Sequence, residues 1–152
     1  MIDPADRVLM VKLEFAATQW EGWILPGGGI EDGEDEPTAL RRELREETGA
    51  TPAEAFIGPV VWRRRHTRAG MMDGWDGQQE TVYLVPCRAF EIAPHLSAEQ
   101  LRDENVTDVR WWTLDELSST HEVVRPEGLA TRVAEVLEFG APVDPPLLIT
   151  SE

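Results

Sequence analysis

The sequence is short of cysteine, of basic residues and of long apolar runs, and each shortage removes a class of protein. Cys87 is the only cysteine among 152 residues, so no disulfide can form within the chain and the fold must rest on a packed core. Lys and Arg number 14 against 29 Asp and Glu, a formal net charge of -15, which makes the field of the whole molecule repulsive to nucleic acid and to anionic membranes. No stretch approaches the ~20 apolar residues that a membrane-spanning helix needs. The opening MIDPADRVLM also lacks the basic start and apolar run of a secretory leader. These absences predict a soluble cytoplasmic protein that binds neither nucleic acid nor membrane.

What is present suffices for one domain. Hydrophobic residues make up 41% of the chain and six are Trp, too many for a disordered segment. Short β-branched and apolar runs predict strands at Arg7 to Leu13, Trp23 to Leu25, Phe56 to Thr67, Glu80 to Phe90 and Val106 to Thr113. The third and fourth should form a hairpin around a long loop, AGMMDGWDGQQ. Helices are expected over Pro37 to Thr48, closed by Gly49, and over Pro126 to Leu137, with Leu129, Val133, Val136 and Leu137 on one face. Ser97 with Gln100 marks a capped helical turn, and Leu114 to Leu117 begins another. The division read from this pattern is one domain over 1–140 and an extended, proline-rich tail over 141–152.

The segment LPGGGIEDGEDEPTALRRELREETGA, from Leu25 to Ala50, stands out chemically. At about 100° per residue, Glu43, Glu46 and Glu47 fall within one ~100° arc of the helix. Like charges at such spacings cost about 0.2–0.5 kcal/mol per pair, and Arg42 precedes Glu46 in the less favourable order for an ion pair. The helix is therefore not arranged for its own stability. A hard divalent cation would turn that repulsion into affinity, since Mg2+ takes one or two carboxylates and fills its shell with waters and phosphate oxygens. Gly27, Gly28 and Gly29 let the backbone approach a ligand closely. From the residues alone two readings stay open: a metal site, or a solvated charged helix.

The same residues resemble the Nudix box, G-x5-E-x7-R-E-U-x-E-E-x-G-U, where U is aliphatic. Gly28, Glu34, Arg42, Glu43, Leu44, Glu46, Glu47 and Gly49 stand at its positions, and Ala50 departs from the larger aliphatic usual at the last. The resemblance implies an α/β fold, the family's α/β/α sandwich with a mixed β-sheet. It also implies Mg2+-dependent hydrolysis of a diphosphate linkage in a nucleoside diphosphate derivative, with Mn2+ as a substitute ion. By the same resemblance Glu46 and Glu47 are the principal metal ligands, Glu43 a further one, and the Gly27 carbonyl an extra one. Gly28 and Glu34 are structural, and Arg42 orients a carboxylate, with Glu34 and Glu43 as its partners. The base is Glu47, or Glu104 outside the box, which as an acidic loop residue has an equally ordinary reading as solvated surface. Glu80 is a weaker candidate.

Substrate contacts are expected from Arg63 and Arg65, which share one strand face in WRRRHTR, unless those arginines merely satisfy neighbouring acids. A nucleobase would stack on Trp20 or Trp75, the tryptophans assigned to loops, whereas Trp111 and Trp112 pack the core or its rim. The marks of particular substrate subclasses are missing. The first strand is short for the family; either it is simply short, or a neighbouring subunit covers the gap and the protein is a homodimer. The competing function is a catalytically silent Nudix-like domain that senses a nucleotide.

Overall fold

The structure, a computed structural model, describes residues 1–51, 56–72, 75–88 and 90–151, with side chains outside 67–76 and 150–151. In chain order the elements are β1 (Val8–Phe15), β2 (Trp20–Ile24), α1 (Glu36–Thr48), β3 (Val60–Met72), β4 (Trp75–Tyr83), α2 (Ala98–Asp103), β5 (Val106–Trp112), α3 (Leu114–Ser119), α4 (Leu129–Phe139) and β6 (Leu147–Ser151). They build two three-stranded sheets, ordered β2-β1-β5 and β4-β3-β6. Every pairing is antiparallel except β3 with β6, so the second sheet is the mixed one.

β1 is the axis of the core. Its Val8, Leu9, Met10 and Val11 are all within 1% of complete burial, as a strand covered on both faces must be. Alternation sends Val8 and Met10 to one side, where they meet Trp23, Trp62, Trp112, Leu117 of α3 and Leu129 and Val133 of α4. Leu9 points the other way, to Leu44 of α1, Ala50 and Val85. The sheets thus lie between α1 and the α3–α4 pair, the α/β/α layering expected.

Three expectations need correction. Most of the expected loop AGMMDGWDGQQ is strand: β3 and β4 pair from Arg63↔Thr81 to Thr67↔Gly77 and, after a shift of register, at Met72↔Trp75. Backbone pairing tolerates polar residues, and the hydrophobic pattern is blind to it. The partner strand ends at Tyr83 rather than Phe90: Leu84 still exchanges hydrogen bonds with Gly58 and Pro59 just ahead of β3, and the Val85 carbonyl then accepts from the Ile2 N–H. Helix α4 begins at Leu129, not Pro126, since Gly128 before it is left-handed (φ 69°), and Leu137 is 40% exposed rather than on the packed face. In the C-terminal stretch Leu147–Ser151 is hydrogen-bonded to β3 as an edge strand.

Helix α1 is fixed at both ends. Asp35 accepts from the Thr38 N–H at 2.9 Å, Pro37 occupies the first turn, and Gly49 closes the helix in the left-handed region at φ 81°. Segment 93–96 then caps the exposed carbonyls: Ala93, His95 and Leu96 N–H groups donate to Thr48, Arg45 and Glu46. A Cβ at Gly49 would run into the Ala93 carbonyl. Gly49→Ala combines that collision with a disfavoured backbone conformation and is expected to destabilise the protein by about 2 kcal/mol or more, read as a lowered urea midpoint. An unchanged midpoint would show that segment 93–96 yields without cost.

Candidate active site

The glycine turn and α1 meet through carboxylates. Glu47, 4% exposed, accepts from the Gly27 N–H at 3.0 Å, and Gly27 is at φ 140°, a conformation other residues resist. Glu43, 8% exposed, packs against Gly28 so closely that a Cβ there would collide with its carboxylate, whose Oε2 would lie at 2.8 Å. Gly29, by contrast, has open space around it. The middle glycine is thus the one whose missing side chain makes room for an acid.

Arg42 ties this arrangement together. Its Nε and Nη2 donate to the two oxygens of Glu34 at 2.9 and 3.0 Å, Nη2 also reaches the Gly29 carbonyl at 2.9 Å, and Nη1 donates to Glu43 at 2.8 Å and Glu46 at 3.2 Å. Both partners expected from the sequence are there, with Glu46 and the Gly29 carbonyl in addition. The hydrogen bond from Arg42 holds the Glu34 carboxyl below its ordinary range, and the same bond is the main reason the guanidinium holds its proton even more tightly than usual.

Glu47 has no such cation. Burial, partly offset by the Gly27 N–H, and then the charges of Glu43, Glu104 and Glu46 push its carboxyl up to about 8. Glu43 is also raised, chiefly by burial against the opposing pull of Arg42. Glu104, exposed at the end of α2, acts on both of them, and the segment 93–96 that leads into α2 is bonded to the last turn of α1. The resemblance brought Glu104 into consideration without a route to the box, and nothing periodic in residues 91–97 announces this cap.

Among the described residues no three acidic, His or Cys side chains are gathered into a metal cage, since Arg42 holds Glu43 and Glu46. The donor set still fits a hard cation. It is oxygen only, two of its carboxyls are buried, and Glu47 is surrounded by like charges with no cationic partner. Glu43, Glu46, Glu47 and the Gly27 carbonyl are the groups that would hold such an ion.

The structure brings the other candidates together only in part. Arg63 and Arg65 are exposed on β3, and among the described residues neither forms an ion pair, whereas Arg64 pairs with Glu80 at 2.7 Å across the ribbon, which gives Glu80 a structural partner. Trp20 opens β2 rather than sitting in a loop, its ring 5.9 Å from Phe15 and roughly 13 Å of strand from Ile24. Trp75 opens β4, also not in a loop, and its side chain lies outside the described ones. Sequence reasoning missed Tyr83, which donates to Glu36 of α1 at 2.6 Å and, by burial first and that bond second, has its hydroxyl pushed up to about 12.

Because Glu47 holds its proton up to about pH 8 when folded but only to about 4.5 in an ordinary setting, the folded state binds the extra proton between those values. In metal-free buffer, stability is therefore expected to fall as pH rises from about 4.5 to 8. Glu47→Gln, which keeps the acceptor for Gly27, should flatten that decline and be the more stable form at pH 8. The gain is bounded at a few kcal/mol, as each tenfold change in proton affinity is worth about 1.4 kcal/mol. Parallel stability–pH curves for the two proteins would contradict this.

Comparison with known proteins places the chain in a family. The model of the NUDIX domain matches residues 1–132. The chain is 34% identical over 98 residues to Nudix hydrolase 25 of Arabidopsis thaliana, covering 59% of this chain and 56% of that protein, so it spans little more than half of that relative's length. It is 30% identical over 137 residues to an RNA pyrophosphohydrolase of Caulobacter vibrioides, covering 83% of this chain and 73% of the relative. In structure it superposes on a NUDIX hydrolase from Nitrosomonas europaea with a TM-score of 0.62 at 21% identity, covering 94% of this chain and 88% of the other. With the family's domain model matching residues 1–132 and the box residues gathered between the glycine turn and α1, the chain belongs to the Nudix family.

Proposed function

We propose that the protein hydrolyses a diphosphate linkage in a nucleoside diphosphate derivative with a divalent metal ion, Mg2+ or in its place Mn2+, held by Glu46, Glu47 and Glu43 with the Gly27 carbonyl. The observation that carries this reading is the pair of buried carboxyls, Glu43 and Glu47, pressed against a glycine turn, where among the described residues Glu43 pairs with Arg42 and Glu47 with no cation. When bound, the ion supplies positive charge to the non-bridging phosphate oxygens and an activated water. The chain's own residues do the rest. Arg42 holds Glu43 and Glu34 in position, and the Gly27 N–H fixes one oxygen of Glu47. Glu47 is the base that takes the proton of the attacking water; Glu104, which feels the same cluster of charge from outside the box, is the alternative base.

A nucleotide-sensing domain without turnover is favoured by one feature, the bond of Arg42 to both Glu43 and Glu46. In that case ligand binding would occur without product. The net charge of -15 speaks against long nucleic acid as the substrate, yet the Caulobacter relative is an RNA pyrophosphohydrolase, so a short RNA with a 5′ polyphosphate belongs in the test.

The assay is product release with Mg2+ or Mn2+ over nucleoside triphosphates, oxidised nucleotides, nucleotide sugars, ADP-ribose, dinucleoside polyphosphates and that RNA. At least one substrate is expected to be cut, with turnover abolished by chelation. Glu47→Gln should lower kcat by about a hundredfold or more while leaving the protein folded. Full turnover in that variant would remove Glu47 as base and ligand, and turnover in the presence of chelator would remove the mechanism. Gly28→Ala, which drives a Cβ into Glu43, is expected to weaken Mg2+ activation about tenfold, whereas Gly29→Ala should leave it unchanged. Equal behaviour of the two alanine variants would dissociate Glu43 from the metal.

A further inference from the structure

Strand β6 lies beyond residue 132, where the match to the NUDIX domain stops, and it adds a surface that the box does not explain. Its parallel register sets Leu147 beside Arg63 and Ile149 beside Arg65. On the other flank of β3, Thr81 stands opposite Arg63 and Gln79 opposite Arg65. Residues paired across strands share a face, so these six form one surface. The reverse face is turned to the core or paired within the sheet: Trp62 is buried, Leu148 packs against the core, and Arg64 Nη2 pairs with Glu80.

This surface adjoins the box helix. Thr81 Oγ1 and Tyr83 Oη both donate to Glu36, at 3.2 and 2.6 Å. Glu36 lies seven and eleven residues before Glu43 and Glu47, on the same stripe of α1 and roughly 10–16 Å along its axis. Leu147 stands two strand spacings, roughly 10 Å, across the sheet from Thr81, so the surface lies ahead of a nucleotide extended along the helix from a diphosphate at the glycine turn.

The composition of the surface is unusual for this chain. With 29 acids against 14 bases, Arg63 and Arg65 nevertheless have no ion pair among the described residues. Arg65 is instead held by a neutral group: the Gln79 side-chain oxygen accepts from its Nη2 at 2.7 Å and its Nε at 3.2 Å once the amide is oriented to satisfy both. Leu147 and Ile149, beside them, are 51% and 70% exposed. Guanidinium groups offer a cationic plane and the two aliphatic chains an apolar ledge, which together match a flat heteroaromatic ring carrying anionic groups.

We propose that β6 completes the substrate site, with Leu147 and Ile149 forming a ledge for the nucleobase beside Arg63 and Arg65 and so setting which nucleotides are taken. This rests on the hydrolase reading above. The occupant is a nucleoside diphosphate moiety.

The test compares the wild-type protein with the double variants L147S/I149S and L147E/I149E and with V143E, a fully exposed position off the ledge that controls for added charge. Binding of ADP, GDP, CDP and UDP in the presence of Mg2+ is measured by calorimetry, KM and kcat on the best substrate of the panel, and molecular mass by light scattering. The expected result is Kd and KM raised about tenfold in L147E/I149E and about threefold in L147S/I149S, with kcat within twofold of wild type and V143E unaffected. Unaltered Kd and KM in both double variants, with hydrolysis retained, would overturn the ledge and leave the hydrolase standing. Nucleotide binding that the variants weaken, with no turnover by the wild type, would support the ledge and overturn the hydrolase. A change of mass in the variants at unaltered affinity would assign the surface to a second copy of the chain instead. A wild type that binds none of the four nucleotides would overturn it outright.

Discussion

Everything distinctive about this molecule depends on one guanidinium. Arg42 makes contact with two carboxylates from its own helix, one from the preceding loop, and the backbone of the glycine turn. Without it, four acids and a loop of three glycines would be left to repel one another, and glycine loops lose more conformational freedom on ordering than any other kind. A bidentate fork can hold a loop against a helix where a lysine, with its single point of charge, cannot. The fork also explains how the chain tolerates an acidic crowd at its centre while carrying a net charge of -15.

The same fork divides the acids into two kinds. Glu34 and Glu46 sit against Arg42 and complete its shell, whereas Glu47 takes only a backbone N–H and is raised by burial and by its neighbours. Glu43 shares both situations. The tension that looked like poor helix design in the sequence is therefore located on Glu47 and, in part, on Glu43, rather than spread over the helix.

How much of this was legible beforehand depended on whether the signal was local. The limits of α1 could be read closely because its proline and its closing Gly49 are chemically marked, and the box residues were found by their spacing. The two partners foreseen for Arg42, Glu34 and Glu43, were likewise within eight residues of it, whereas the Gly29 carbonyl, thirteen away, was not foreseen. The course of β3 and β4 was not legible, since strand pairing between WDGQQ and RRRHT is made by backbone groups that leave no hydrophobic period. Tyr83, 47 residues from Glu36, was missed for a related reason: no pattern along the chain states which distant helix a strand will meet. The exposed side of β3 required β6 to be placed before its arginines acquired neighbours.

The cap on α1 by residues 93–96 has a mechanical consequence. Three backbone donors bolt the end of the box helix to the chain that leads directly into α2, while the Ser97–Gln100 capping box begins α2 one residue later. Glu46 and Glu47 therefore sit on the capped turn itself, and the chain that runs on to Glu104 is anchored to that same turn through its backbone, so the inner and outer acids are tied to one end of one helix.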